Sequence, residues 1–147
     1  MDNKAKVTKQ MKNLFTSGSA AFIKQALESF KSNDEMVILS ALTELCSELS
    51  MANDSVGEDQ NSPELIKQLI ILLDKFPMLP DISLFALNCI NYLLDINPRS
   101  TSSVVKLGGV QKIVKLAENV EYIDCVESAI KTIEKMLFNL FKIVVSK

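Results

Sequence analysis

Histidine and tryptophan are absent from this 147-residue chain, and glycine and proline number only four each. Without histidine there can be no Ser-His-Asp or Cys-His nucleophilic pair and no histidine-containing metal site. So little Gly and Pro leaves too few turns for a many-stranded fold, which favours helix. Cysteine is scarce too: Cys46, Cys89 and Cys125, with no paired spacing. Each falls inside a helix-period apolar pattern, so all three read as buried, reduced thiols serving as small hydrophobes, and structural zinc is not expected. An odd thiol count and no secretory leader indicate a reducing compartment, cytoplasmic or nuclear. Positive charge is not in excess either. Sixteen basic against eighteen acidic residues give a net charge of −2, which argues against nucleic acid, because phosphate neutralisation needs a basic face. No stretch of about 18 uninterrupted apolar residues occurs, so no membrane span is expected. The single Gly pair, Gly108-Gly109, lacks the spacing and lysine of a phosphate-binding loop. Together these absences leave no catalytic residue, no metal site and no cofactor to expect.

What is present is repetition. Ala41-Leu42-Thr43-Glu44-Leu45, Cys89-Ile90-Asn91-Tyr92-Leu93 and Ala129-Ile130-Lys131-Thr132-Ile133 share one pattern. Each has a small residue, an aliphatic beside it and another aliphatic three further on. Ile38, Ala86 and Val126 precede the small residue at one common offset. The mean period of about 44 residues, with helical spacing inside each unit, predicts an all-α, right-handed α-solenoid of about three armadillo-like repeats. Such stacks hold other macromolecules and rarely do chemistry.

Residues 1–18 read as a lysine-rich leading segment in which Val7, Met11, Leu14 and Phe15 share a face. The repeat domain is expected over 19–147, with units near 19–52, 63–98 and 101–137. In the first unit Phe22, Ile23, Ala26, Leu27 and Phe30 recur at helical spacing. A second helix begins after Ser32-Asn33-Asp34-Glu35, with Asn33 or Asp34 as N-cap. Asn53 to Ser62 is acidic and polar and reads as a loop; its Asn53-Asp54-Ser55 fits a glycosylation acceptor only by chance, given no secretory signal. Pro63 opens the second unit at a helix N1 position, capped by Ser62. Pro77 and Pro80 end that helix, and Asp81 starts the next, to about Ile96. The third unit shows a short helix from Ser102 to Leu107, a turn at Gly108-Gly109, a helix from Val110 to Ala117 and another from Glu121 to about Lys135. Glu118, Glu121, Asp124 and Glu127 cluster at that last helix start, where the macrodipole favours negative charge. An apolar tail, 136–147, follows. A solenoid end should be polar outside, so the tail implies a further repeat after residue 147, folding back, or pairing with another chain.

Three strings carry a closer likeness. Ala41-Leu42-Thr43-Glu44-Leu45-Cys46-Ser47-Glu48-Leu49-Ser50-Met51 resembles the opening repeat of the HECT-type E3 ubiquitin ligases of the ubiquitin-fusion-degradation class, the thyroid-receptor-interacting and KAKTUS-like ligases. So does Ala86 to Ser100, with Tyr92-Leu93-Leu94-Asp95 and Asn97-Pro98-Arg99-Ser100. The third runs from Lys115-Leu116 through Glu121-Tyr122-Ile123-Asp124 and Val126-Glu127-Ser128-Ala129 to Leu137. The likeness keeps order from Phe22 to Leu137. It implies a substrate- or partner-engaging armadillo module of such a ligase, acting in ubiquitin-dependent degradation. The catalytic HECT domain of that family would lie far C-terminal and is missing, and none of the three cysteines matches its thioester-forming residue. The chain is therefore expected not to be an enzyme. The alternative is a stand-alone armadillo scaffold unrelated to ubiquitin, homodimeric through the apolar tail.

In stacked armadillo units the third helices line a concave groove. Here that places Ser40, Thr43, Glu44 and Ser47, then Asn88, Asn91, Tyr92 and Asp95, then Ser128, Lys131, Thr132 and Lys135 on the partner-binding strip. Asn and Ser side chains can bond the backbone of an extended peptide, and Tyr92 offers an amphipathic contact. The same polar residues also fit a plain solvated helix face. Nuclear-import adaptors of this fold resemble one another in a Trp one residue before the small position and an Asn three after it. Those positions here are Ser40, Asn88 and Ser128, and Glu44, Tyr92 and Thr132, so a basic nuclear-signal peptide is not the expected partner.

Overall fold

A computed structural model of the chain describes residues 19–51 and 62–146. The lysine-rich segment and most of the polar loop expected at Asn53 to Ser62 lie outside the described residues. Every regular element among the described residues is helical: α1 (Ser19–Phe30), α2 (Glu35–Ser50), α3 (Ser62–Lys75), α4 (Pro80–Ile96), α5 (Ser100–Lys106), α6 (Gly109–Glu118) and α7 (Ile123–Val145).

The boundaries follow local chemistry. Asp34 is the N-cap of α2: its backbone is extended and its carboxylate accepts from the Met36 amide at 2.9 Å, satisfying one of the orphan donors of a first turn. Pro80, expected to terminate a helix, instead opens α4 in its first turn. Its fixed φ suits the first helical position and its missing N–H costs nothing there. Gly108 turns the chain between α5 and α6 in the left-handed region, at φ 76°. The last helix differs from expectation. Instead of ending near Lys135 and leaving a separate tail, α7 continues unbroken to Val145. No Gly or Pro interrupts 123–145, so nothing stops propagation.

The helices stack in two rows. In one, α2 packs on α4 and α4 on α7; in the other, α1 packs on α3 and α3 on α6. Within each unit the rows are joined by α1 against α2, α3 against α4 and α6 against α7, while short α5 sits against α3, α4, α6 and α7. One continuous apolar core fills the space between the rows. Ile38, Leu42 and Leu45 of α2, Leu65 and Leu69 of α3, and Ala86 and Leu87 of α4 are completely buried. The dense apolar run of α3 is explained: as the middle helix of its row it is covered by α1, α4, α5 and α6. This is an α-solenoid. The first two units are helix pairs, and only the third carries a third helix among the described residues.

Polar ties close the ends of buried helices. Ser83 donates from α4 to the Leu73 carbonyl at 2.9 Å. Lys112 of α6 reaches the Ile70 carbonyl at 3.2 Å and the Asp74 carboxylate at 3.0 Å. The Leu73 carbonyl lies in the last turn of α3, where intrahelical donors run out.

Candidate partner-binding surface

The row α2–α4–α7 carries every residue of the predicted strip, but the strip is not uniform. On α2, Ser40, Thr43, Glu44 and Ser47 are all exposed, on the side opposite the buried Ile38, Leu42, Leu45 and Leu49. Thr43 donates to the Leu39 carbonyl at 2.8 Å. On α4, Asp95 is exposed, Asn88 and Tyr92 are half-buried, and Tyr92 leans against the core. On α7, Lys131 is exposed and Lys135 half-buried.

Asn91, Ser128 and Thr132 depart from the expectation of an open strip: they are 7%, 6% and 0% exposed. The reason is the close approach of α4 and α7. Ser128 Oγ donates to Asn88 Oδ1 at 2.8 Å, and Asn91 Nδ2 donates to Ser128 Oγ at 3.4 Å. Thr132 turns inward and donates to the Ser128 carbonyl on its own helix at 2.8 Å. A buried polar group needs such a partner, because an unpaired one costs about 1–3 kcal/mol. Asn91 Oδ1 is the exception, buried with no hydrogen-bond partner among the described residues. Lys135 and Asp95 form an ion pair at 2.7 Å across the same seam, and Lys131 pairs along its helix with Glu127 at 3.5 Å. Five of the twelve strip residues, Asn88, Asn91, Asp95, Ser128 and Lys135, therefore tie α4 to α7. What remains open is the outer side of α2, the Tyr92 edge of α4 and Lys131.

Two further sets of residues on this row were missed by spacing. Asn139 is buried and donates to the Leu94 carbonyl at 3.4 Å and to Thr101 Oγ1 at 3.1 Å. An Asn within the apolar run Met136 to Phe141 was the available signal. The other set is Cys46 and Cys89, whose sulfurs lie 3.0 Å apart between α2 and α4. The repeat register aligns Cys89 with Ala41, so the register alone does not bring it to Cys46. The hydrogen bond from Cys89 lowers the pKa of the Cys46 thiol, while burial, above all, pushes Cys89 well up. Burial also raises Cys125, helped by the nearby charges of Asp124 and Asp81. Among the described residues no three Cys, Asp or Glu converge as a metal-holding group, and no helix is long and apolar enough to cross a membrane. The open part of the strip offers hydroxyls, carboxylates, an ammonium group and the ring of Tyr92: groups for non-covalent contact.

Stacked helical units presenting such a row define a repeat protein of the α-solenoid class. Residues 1–139 match the family described as E3 ubiquitin-protein ligase TRIP12-like, TPR repeats, and the chain belongs to that family. It is 33% identical over 102 residues to E3 ubiquitin-protein ligase UPL4 of Arabidopsis thaliana, a stretch covering 67% of this chain and 6% of that protein. To E3 ubiquitin-protein ligase UPL3 of the same plant it is 30% identical over 96 residues, 65% of this chain and 5% of the relative. The chain thus matches only a small part of the length of these curated relatives. No solved structure matches it significantly. The paired helices of the first two units agree with the family's description, whereas the period of about 44 residues is longer than the 34 of tetratricopeptide repeats and falls in the armadillo and HEAT range.

Proposed function

We propose that this chain is a non-catalytic protein-interaction module of the ubiquitin pathway, engaging a protein or peptide partner, degradation substrates included, along the α2–α4–α7 row. The observation that carries this reading is the family match over residues 1–139, set by a repeat region of ubiquitin ligases. It also favours this reading over a scaffold unrelated to ubiquitin. The open groups suit such engagement, because Ser40 and Glu44 on α2, Tyr92 on the edge of α4 and Lys131 on α7 project from helices whose opposite sides are locked in the core. Asn88 and Asp95 take part while also bonding α7; Asn91, Ser128 and Lys135 serve the strip by fixing the spacing between α4 and α7, and Thr132 bonds within α7. The working compartment in this reading is the cytoplasm, the nucleus or both.

The test is affinity capture from native lysate, quantified by mass spectrometry, with wild type, Tyr92→Ala, Glu44→Ala and, as a control from the other row, Lys67→Ala. Wild type and the control enrich proteins of the ubiquitin pathway. Tyr92→Ala, as a hot-spot truncation worth about 2 kcal/mol, weakens capture roughly 30-fold. Equal capture by all four proteins would remove the row from the account.

A second reading rests on a separate observation. Leu137, Phe138, Phe141, Val144 and Val145 of α7 are each more than half exposed. Contiguous apolar area of this kind marks a protein–protein contact, and pairing of α7 with α7 of a second copy would cover it.

A further inference from the structure

We propose that Cys46 and Cys89 form a redox-modification site, at which a hydroperoxide converts the two thiols into an intramolecular disulfide joining α2 to α4. The two sulfurs are 3.0 Å apart although the residues belong to successive repeats. A disulfide needs about 2.0 Å, so bond formation asks the sulfurs to close by about 1 Å. Their other hydrogen bonds go to backbone carbonyls: the Cys46 thiol donates to the Phe85 oxygen at 3.3 Å and the Cys89 thiol to that of Leu42 at 3.8 Å. No side chain stands between them. The pair is asymmetric, as a two-cysteine redox site requires. Cys46 is half-buried, whereas Cys89 is fully buried. The Cys89 hydrogen bond that favours the Cys46 thiolate makes Cys46 the group that meets the oxidant.

The steps balance with the hydroperoxide as oxidant. The Cys46 thiolate attacks one peroxide oxygen; an S–O bond forms, the O–O bond breaks, and the departing oxygen takes up a proton (as water, for hydrogen peroxide). Cys46 is then a sulfenic acid. Cys89 sulfur attacks Cys46 sulfur; the S–S bond forms, the S–O bond breaks, and hydroxide leaves with the proton of Cys89 as water. Two thiols and one hydrogen peroxide give one disulfide and two waters, the sulfurs oxidised and the peroxide oxygens reduced. Cellular thiols reverse it by exchange. The bridge fixes the first unit against the second, and with it the placement of Glu44 relative to Asn88 and Tyr92.

Cys125 supplies an internal control. Its thiol donates to the Pro80 carbonyl at 3.4 Å, and Cys89 lies nine residues further along α4, a rise of about 13 Å. The test treats the folded chain with hydrogen peroxide at neutral pH, alkylates residual thiols in denaturant, and maps peptides without reductant. The expected result is joint loss of Cys46 and Cys89 from the alkylated pool as one linked peptide, restored by dithiothreitol, with Cys125 still alkylated. Cys125→Ala bridges as wild type does, and Cys89→Ala leaves Cys46 as a sulfenic acid that dimedone traps. The wild-type readout stands whether or not a variant folds. Cys46 and Cys89 both remaining alkylatable, Cys46 passing to sulfinic acid without a link, or either residue pairing with Cys125 overturns the proposal.

Discussion

A polar side chain on a repeat helix can reach toward another molecule or bind its helix to the next one, and helical spacing does not distinguish the two. Asn88 and Ser128 show why. Spacing places both on the same row, but the depth at which α4 and α7 interlock decides that Ser128 is covered and donates to Asn88 at 2.8 Å. Glu44, on the first helix of the row among the described residues, meets no such neighbour among them and is exposed. The candidate site was therefore legible as a row of residues and illegible as a surface, because burial depends on interhelical distance, which no single helix encodes. The cysteines show the same limit. The burial of Cys89 and Cys125 follows from the apolar pattern; the half-buried position of Cys46 and its contact with Cys89 do not.

Cys125 yields a prediction at this scale. In the unfolded chain its thiol ionises near the ordinary value of about 8.5; in the folded chain burial and the nearby carboxylates hold the proton to higher pH. Over that window the folded state binds more protons than the unfolded one, so stability is complete below the unfolded value and declines as pH rises toward the folded value. Cys89, also raised, acts in the same direction, and Cys46, lowered, in the opposite one. Urea midpoints measured from about pH 7 to about pH 10 should fall in wild type and fall less in Cys125→Ala. Identical slopes in the two proteins would mean that ionisation of Cys125 is not felt by the fold.

Elements were the most legible level, since amphipathic spacing survives in each helix and the caps are local. Asp34 behaves as a short polar residue ahead of an apolar run should. The misjudged ends have local reasons as well: Pro80 fits a first turn as readily as it stops a last one, and the stretch after Lys135 holds no breaker. The Gly108-Gly109 turn was expected, but the two glycines turn out to serve different needs. Gly108 supplies the positive φ of 76° and has open space around it. Gly109 has ordinary φ and no room. A Cβ there would lie 2.7 Å from Val104 Cγ1, 3.0 Å from the Val104 carbonyl oxygen and 3.1 Å from Ile70 Cδ1. The constraint comes from α3 as well as α5, from another repeat, which the local sequence could not reveal. Gly109→Ala should therefore cost about 1–3 kcal/mol through overpacking, and Gly108→Ala about 1 kcal/mol through backbone strain alone. Denaturant titration of both variants decides between these origins. A Gly109→Ala protein as stable as wild type would show that α3 and α5 yield easily.

At the scale of the whole molecule, the repeat register explains both the stability of the stack and an apolar face of α7 that no described helix covers. Leu42, Ile90 and Ile130 occupy the same place in their units. The first two are 0% and 1% exposed, and the third is 46% exposed. In α2 and α4 that position is covered by the stack; in α7 no described helix covers it. Leu137, Phe141 and Val144 extend the uncovered face along the same helix at 63%, 67% and 69% exposed. Water against such a stripe is unfavourable by about 25 cal/mol for each Å² of apolar area, so a second copy approaching with the same face gains from covering both at once. A two-fold pairing needs no further complementarity, because one self-matching patch serves both subunits. Sedimentation velocity of the 147-residue chain should show the apparent mass rising toward that of a dimer as concentration increases. Leu137→Asp combined with Phe141→Asp should hold it at the monomer with an unchanged circular dichroism spectrum, since neither side chain belongs to the core. A wild type that stays monomeric at every concentration would assign the stripe to a different protein or to another helical unit.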